Sequence, residues 1–295
     1  MLDIELLKTF MEVYRTRHFG QAAENLFVSQ SAVSTRIRQL EEILRVPVFT
    51  RDRNNIQLTR AGQKLLRHAE VILNSWSQAR QEIAVEGHAR IPLSIGGVPS
   101  LWDIILQKWI HRVHRRLPDA ILNVEVMGSE ALLRRVGSRT LDVAFMFESP
   151  QMTDMVVMEL SPIRLIMVSS EPHQGAAEAI RNGYVLVDWG TSFANTHARY
   201  FPDMPSPAVR MSLGRIAHEF VSGCGGSAYL AEAMVKDDLK AGQLFRVADA
   251  PAIDRATYAV YPDNGERRRV VEKALSYLSA EAVPALRSAK ASERL

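Results

Sequence analysis

Hydroxyl side chains and an arginine share one face of the segment between residues 28 and 44. The apolar residues there recur at steps of four, three and four, which predicts an α-helix buried along Val33, Ile37, Leu40 and Leu44. Ser29 is placed to cap its first turn. The opposite face then carries Ser31, Ser34, Thr35 and Arg38. A short polar face with almost no acid suits close approach to nucleic-acid phosphates, and an ordinary surface helix is the alternative.

The neighbouring segments favour the nucleic-acid interpretation. Residues 4–16 carry apolar side chains at helical spacing, and the alanine-containing segment 18–27 predicts a short second helix. A short link then leads into the polar-faced helix, which gives a helix-turn-helix arrangement. Beyond Pro47, residues 48–58 predict two short strands around a polar turn, with Arg51 and Arg53 at the tip of the hairpin. Such a hairpin is a wing whose arginines can reach phosphates or the minor groove.

These elements together resemble a known DNA-binding domain. Residues 1–60, with the run LLKTFMEVYRTRHFGQAAENLFVSQSAVSTRIRQLEEILRVPVFTRDRNNIQLTRAG, resemble the winged helix-turn-helix domain of the LysR-type bacterial transcriptional regulators. Ser31 stands where many relatives carry proline, which adds a hydrogen-bonding group. The segments RHFGQAAE and RNNI also resemble the branch of that family that contains repressors of the flagellar master operon.

The polar face of the third helix predicts the DNA contacts. Hydroxyl and amide side chains are expected to read base edges, and these are Gln30, Ser31, Ser34 and Thr35. Arginines are expected to neutralise phosphates, and these are Arg36, Arg38, Arg51 and Arg53. Residues 15–67 hold ten Lys or Arg against four acids, although the whole chain has a net charge of only +3. This local excess is typical of a nucleic-acid-binding surface.

Residues 60–86 predict one long helix that begins after Thr59. Its apolar residues alternate steps of four and three and form a narrow seam along Leu65, Ala69, Ile72, Trp76, Ala79 and Ile83. In the resembling family this helix pairs with that of a second subunit. A two-fold dimer would place two recognition helices about 34 Å apart on a dyad-symmetric DNA site. A helix packed on its own chain is the alternative.

The larger half, residues 87–295, predicts an α/β domain. From residue 91 to 147 strands and helices alternate as β-α-β-α-β, which indicates an open sheet. The region resembles the periplasmic-binding-protein-like effector domain of the same regulators, which implies two subdomains. Subdomain I would comprise residues 90–161 and 262–295, and subdomain II residues 162–261. The chain is expected to cross between them near residues 161–163 and 258–262. Residues 214–242 read as helix, glycine turn and helix.

Open α/β sheets bind ligands at the carboxyl ends of their strands, so the effector is expected between the subdomains. Ser100 follows the first strand of this half and is expected to cap the next helix, whose free amides attract an anion. Ser129 follows the second strand in the same way, and Trp189 could form an apolar wall. Such a site favours a small organic anion or a polar-headed aromatic as the effector.

Other kinds of site are not expected. His111 and His114 lack a third metal ligand, and the single cysteine, Cys224, is expected to pack as a small apolar residue without a redox role. No cofactor motif or nucleophile–base pair stands out, so an enzyme is the low-ranked alternative. No signal peptide or roughly 20-residue apolar span is recognised, and one cysteine fits a reducing cytoplasm. The sequence therefore predicts a cytoplasmic, homo-oligomeric DNA-binding regulator, with a constitutive repressor as the second interpretation.

Overall fold

The computed structural model describes residues 3–52, 55–83 and 91–278. The chain divides into two compact units, residues 1–89 and residues 90–295. The first unit contains the predicted helix-turn-helix and hairpin, and its elements are α1 (Ile4–Thr16), α2 (Phe19–Asn25), α3 (Gln30–Leu44), β1 (Phe49–Asp52), β2 (Asn55–Leu58) and α4 (Arg60–Ile83). β1 and β2 pair as an antiparallel hairpin.

The core of the first unit fixes where α3 lies. Apolar side chains from α1, α2, α3, β1 and α4 form one buried cluster, which includes Leu7, Phe10, Ala22, Ala23, Val33, Ile37, Leu40, Phe49 and Ala69. The predicted stripe of α3 is therefore confirmed, with Leu44 partly buried at its end. Because the apolar stripe faces this core, the polar face of α3 points away from it.

Polar caps set the ends of α3 and α4. The Ser29 hydroxyl accepts a hydrogen bond from the Ala32 amide at 3.2 Å, which confirms the predicted cap. The Thr59 hydroxyl accepts from the Gly62 amide at 3.0 Å and donates to the Pro47 carbonyl at 2.7 Å, so it joins α4 to the start of the wing.

The second unit is an α/β domain. Its first half contains β3 (Ile91–Gly97), α5 (Pro99–Leu101), a π-helical segment (Trp102–Leu106), α6 (Gln107–Arg116), β4 (Ala120–Val126), α7 (Ser129–Gly137) and β5 (Val143–Met146). The rest contains β6 (Met155–Ser169), α8 (Ala176–Arg181), β7 (Tyr184–Val187), α9 (Thr191–Tyr200), β8 (Val209–Met211), α10 (Gly214–Cys224), β9 (Ser227–Ala231), α11 (Glu232–Ala241), β10 (Phe245–Arg246), β11 (Ile253–Pro262) and α12 (Arg268–Leu275).

Two long antiparallel strands join two sets of parallel strands. The strand order is β4-β3-β5-β11-β6-β9-β7-β8, with β10 also paired to β6. β3 lies parallel to β4 and β5, and β7 lies parallel to β8 and β9. The pairing of β6 with β11 shifts register between Arg255 and Thr257, opposite the predicted first crossing at residues 161–163. The predicted second crossing, residues 258–262, lies after this shift in β11. Residues 258–260 of this segment pair with β5. The subdomain boundaries stay a prediction.

Three local predictions for this unit were wrong. Residues 155–169 form one continuous strand rather than two runs around Ser161 and Pro162. The segment after the glycine turn forms β9 before α11 begins, and all five of its residues are buried. A strand buried on both faces shows no alternation of polar and apolar residues, so the pattern did not reveal it. Ser100 is not the helix cap, because the helix starts at Pro99 with Val98 as its cap residue.

Gly62 allows α4 to approach the wing closely. A Cβ atom there would lie 2.1 Å from the Val48 carbonyl oxygen and 2.9 Å from Leu58 Cδ2. We expect Gly62→Ala to lower the free energy of unfolding by roughly 3 kcal/mol, because backbone has to move to admit the methyl group. Urea unfolding followed by circular dichroism measures this loss. Gly128→Ala is the control, since a Cβ there would meet nothing within 4 Å; equal stability of the two variants would contradict the close approach.

Candidate DNA interface and effector cavities

The polar face of α3 is exposed where the sequence predicts base contacts. Gln30, Ser31 and Thr35 are exposed, and Ser34 is half-buried. The Ser31 hydroxyl lies 2.9 Å from the Ser29 hydroxyl, and the Thr35 hydroxyl donates to the Ser31 carbonyl at 2.9 Å. Each hydroxyl keeps hydrogen-bonding capacity after these local bonds. The N-terminal half of α3 therefore presents polar groups held close to the helix backbone.

The arginines of this unit occupy different environments. Arg38 is exposed on α3. Arg36 instead reaches α1, where its Nη1 atom lies 3.4 Å from Thr9 Oγ1 and 3.8 Å from Glu5 Oε2. Arg36 thus holds α3 to α1 rather than standing free for a phosphate. Arg51 lies in β1 opposite Ile56. Its side chain and the whole of Arg53 lie outside the described residues.

Phe27 is a surface feature that the pattern of apolar residues did not predict. Its side chain is 95% exposed and its backbone is left-handed, with φ of 53°, in the turn between α2 and α3. An exposed aromatic residue in a backbone region that L-residues disfavour is unusual. The sequence signal for this exposure was the position of Phe27, which lies off the helical stripe and two residues before the α3 cap residue, Ser29.

The apolar seam of α4 divides into a buried and an exposed part. Ala69 is fully buried and Leu65 is partly buried in the core of the first unit. Farther along, Ile72 is 37% exposed and Trp76 is 46% exposed, while Ala79 is half-buried. The side chain of Ile83 lies outside the described residues. The first turns of the seam therefore pack on their own chain, and the middle leaves an apolar surface uncovered.

Ser100 and Ser129 follow neighbouring parallel strands. β3 and β4 pair in register, and the Met127 amide donates to the Gly97 carbonyl at 3.3 Å where both strands end. Ser100 and Ser129 then lie in the first turns of α5 and α7, and both are half-buried. The structure thus brings these two residues to one edge of the sheet. The residues at the N-cap positions of these helices are Val98 and Gly128, and neither makes a side-chain cap bond.

Trp189 lies in the core rather than at an open wall. Its side chain is 2% exposed, and its indole N–H donates to the Tyr229 carbonyl at 2.9 Å. The indole also lies directly over Gly214, where a Cβ atom would come within 2.5 Å of it. A ligand could touch this ring only after these packing partners had moved.

Arg255 is a buried cation that the sequence analysis missed. It is 4% exposed and lies at the register shift of β11. Its Nε donates to the Trp189 carbonyl at 2.7 Å, and its guanidinium pairs with Glu148, which follows β5. The guanidinium carbon also lies 4.9 Å from the centre of the Phe147 ring. Arg255 therefore connects the ends of strands from both parallel sets, and only the tertiary fold brings these residues together.

A largely apolar cavity of about 720 Å³ lies between α9 and the strands β7 and β8. It is lined by side chains that include Phe193, His197, Phe201, Met204 and Met211. His197 is 4% exposed, and its Nε2 atom lies 2.8 Å from the Tyr184 hydroxyl. Burial lowers the pKa of His197 to about 4.

The described residues bear on the remaining predictions as well. They contain no group of three or more His, Cys, Asp or Glu side chains that could hold a metal ion. Cys224 is exposed at the end of α10, so the prediction that it packs as a small apolar residue was wrong. Among the helices in the described part of the chain, none combines the length and apolar character needed to cross a membrane.

Comparison with known proteins agrees with this architecture. The model of the bacterial regulatory helix-turn-helix proteins of the lysR family matches residues 4–63, and that of the LysR substrate binding domain matches residues 86–282. The HTH-type transcriptional regulator HdfR of Yersinia enterocolitica is 35% identical over 286 residues, which cover 93% of this chain and 95% of that protein. HdfR of Yersinia pestis is 34% identical over 286 residues, which likewise cover 93% of this chain and 95% of that protein.

The chain belongs to the LysR family. It is a LysR-type DNA-binding transcriptional regulator, as the sequence predicts. Solved structures share the fold at lower identity. CbnR complexed with its target DNA has a TM-score of 0.71 at 17% identity, covering 94% of this chain and 99% of that chain. The virulence activator AphB of Vibrio cholerae has a TM-score of 0.59 at 15% identity, covering 94% and 100%.

His197 should make the stability of the LysR effector domain depend on pH. Its pKa is about 4 in the folded chain and 6.5 for a free imidazole, so between these pH values the unfolded chain binds a proton and the folded chain does not. The free energy of unfolding should therefore fall by up to about 3 kcal/mol as the pH falls from 6.5 to 4. We expect the double substitution His197→Phe and Tyr184→Phe, which leaves no hydroxyl unpaired, to flatten this dependence in urea unfolding. Exposed His111→Gln should keep the wild-type slope.

Proposed function

We propose that this LysR-type regulator binds a dyad-symmetric DNA site as a homodimer or dimer of dimers and responds to a small organic anion. The observation that carries the proposal is the surface of the first unit. The polar face of α3 and the apolar residues Ile72 and Trp76 of α4 are both exposed in the single chain. One surface suits the major groove and the other suits a second subunit.

The base contacts belong to the N-terminal half of α3. Gln30 can pair bidentately with adenine, and the hydroxyls of Ser31, Ser34 and Thr35 can donate to or accept from base edges. This assignment is supported by the exposure of these side chains and by the spare capacity of their hydroxyls. Phe27 adds an apolar contact beside the same groove, for which a deoxyribose or a thymine methyl group is a suitable partner.

The phosphate contacts belong to Arg38 and to the wing arginines Arg51 and Arg53. Arg38 is exposed on α3 and has no acidic partner among the described residues. Arg36 is excluded from this set because it contacts α1 through Thr9 and Glu5. Phosphate contacts fix the position of the protein on the duplex and carry no sequence information directly.

The effector is proposed to bind where the strands of both parallel sets end. Ser100 and Ser129 supply one side, with the free amides of the turns that follow β3 and β4. Arg255 supplies a buried cation at the register shift of β11, and a carboxylate of the ligand could replace Glu148 as its partner. Such a ligand would change which contacts join the two sets of strands. It would therefore bind one arrangement of the two sets more tightly than another.

A constitutive repressor is the second candidate. It is favoured by the fact that Arg255 already has partners in Glu148 and in the Trp189 carbonyl, while the Trp189 indole is bonded to Tyr229. In that case the strand ends are held together by the chain itself and need no ligand. For either candidate we propose no catalytic activity and, since the target is bacterial DNA, a cytoplasmic location.

Thr35 and Arg38 should affect DNA binding in different ways. Thr35→Ala should weaken binding to the preferred site by roughly 1–3 kcal/mol and relax preference at one base pair. Arg38→Ala should weaken binding to all sequences alike and reduce the slope of affinity against salt concentration by about one unit. Fluorescence titrations at several salt concentrations measure both effects. Exposed Arg199→Ala, in the second unit, is the control; wild-type behaviour of both α3 variants would refute the proposed interface.

Ile72 should be required for association of subunits. Ile72→Glu places a charge on the exposed seam of α4, and burying it against a second helix would be costly. We expect a lower mass in sedimentation and loss of binding to a dyad site, with unchanged circular dichroism. Gln63→Glu, an exposed position on the same helix, is the matched control. If Ile72→Glu keeps the wild-type mass, the subunits associate elsewhere.

A further inference from the structure

A second cavity, of about 580 Å³, lies in the effector domain. Its walls are the π-helical segment with α6, one face of α11, and residues 161–164 of β6. The segment before α6 follows β3, whereas α11 follows β9, so the two helical walls belong to different parallel sets. Neither Ser100, Ser129 nor Trp189 is among its lining residues.

Positive charge dominates this cavity. Five of its lining side chains are cations and one is an acid, and these are Lys108, Arg112, Arg164, Lys236, Lys240 and Glu232. The two helical walls face each other with like charge, Lys108 and Arg112 from α6 against Lys236 and Lys240 from α11. Like charges across a cavity repel each other unless an anion lies between them.

The acids on the walls do not neutralise this charge. Glu232 is shared between Arg164, at 3.9 Å, and Arg246, at 3.7 Å. Lys240 lies 3.8 Å from Asp237, whose side chain is 97% exposed. Across residues 3–52, 55–83 and 91–278, no ion pair is found for Lys108, Arg112 or Lys236. The cavity therefore keeps a local excess of cations.

Arg112 provides an independent sign of a missing partner. Its Nε atom is buried and has no hydrogen-bond acceptor among the described residues. Buried polar atoms in folded proteins are almost always paired, so an unpaired guanidinium donor beside a cavity points to an acceptor that enters from outside. An anionic oxygen is the acceptor that this group binds best.

Apart from Ser161, the rest of the lining is apolar, and it includes a local departure from α-helical geometry. Ile104 and Ile105 come from the π-helical segment Trp102–Leu106, and Pro162, Ile163 and Leu239 complete this part. Short π-helical segments inside helices occur frequently at functional sites. A ligand for this cavity should therefore combine negative groups with a small apolar body.

We infer that this cavity binds a small organic dianion, of the dicarboxylate class, with one carboxylate toward Lys108 and Arg112 and the other toward Lys236. Bound in this way, the dianion joins the α6 wall to the α11 wall and stabilises the effector domain. It acts separately from the effector proposed at the strand ends. The inference extends the proposed regulation, and its test measures binding by thermal stability, without DNA.

Succinate and phthalate are the probes, with neutral succinamide as the matched control and sodium chloride used to keep ionic strength constant. A ligand that binds only the folded chain raises the melting temperature, by about 5 °C at a hundredfold excess over its dissociation constant. We expect at least one dianion to raise the melting temperature of the full-length protein in this way. Succinamide should not. If neither dianion exceeds the effect of sodium chloride, the inference is wrong.

Paired variants locate the binding site. The double substitution Lys108→Gln and Lys236→Gln should abolish the rise in melting temperature. The control, Lys64→Gln with Lys273→Gln, removes the same charge from exposed positions outside the cavity and should keep this rise. Ser100→Val should also keep the rise. Loss of the rise in Ser100→Val but not in the cavity variant would place the anion at the strand ends and overturn the inference.

Arg112 gives a test that needs no ligand. At low ionic strength and without a dianion, Arg112→Met should raise the melting temperature, because it removes an unpaired buried donor and one repelling charge. The exposed Arg115→Met, on the same helix, should give no such rise. Saturation with the dianion should cancel the advantage of Arg112→Met over wild type. A lower melting temperature of Arg112→Met without ligand would show that this arginine supports the fold and would refute the inference.

Discussion

The antiparallel pairing of β6 with β11 is the constraint on which the effector domain depends. It joins the parallel set β4-β3-β5 to the parallel set β9-β7-β8 through two strands that run through both. The register shift between Arg255 and Thr257 lies where one set gives way to the other. Because backbone hydrogen bonds hold the two strands there, a change in the arrangement of the sets must be absorbed at this shift.

Buried charge follows from this geometry. Arg255 lies at the shift and is held by Glu148 and by the Trp189 carbonyl, so the connection between the two sets includes a buried cation. Only the Arg255 end of this pair is buried, because the Glu148 side chain is 58% exposed. Solvent therefore screens the attraction between the two charges. The proposed replacement of Glu148 by a carboxylate of a ligand depends on this exposure.

In the DNA-binding unit the corresponding constraint is the shared core of α1, α3, β1 and α4. The first turns of α4 use their apolar residues, Ala69 above all, to complete this core. One continuous helix therefore fixes the recognition helix at one end and exposes Ile72 and Trp76 farther along. A change in how two such helices pair would be transmitted to the recognition helices through a rigid element.

The sequence alone determined the family, the helix-turn-helix and the polar face of α3. The family was indicated by the resemblance of residues 1–60 to LysR-type regulators. The helices and the polar face depend on residues close in the chain, and helical periodicity reports them directly, as the confirmed Ser29 cap shows. The start of the effector domain was predictable for the same reason, since β3, α6, β4, α7 and β5 alternate with clear spacing.

Tertiary structure decided what depends on partners distant in the chain. The strand β9 is buried at all five positions, which removes the periodic signal, and β6 continues past Ser161 and Pro162 because it pairs with β11 on both sides of them. Arg36 was expected to contact phosphate, but α1 places Thr9 and Glu5 beside it. Trp189 became a core residue because Tyr229 and Gly214 close around it. Periodicity tells which face of an element is buried, but only the folded chain decides which charges and rings meet there.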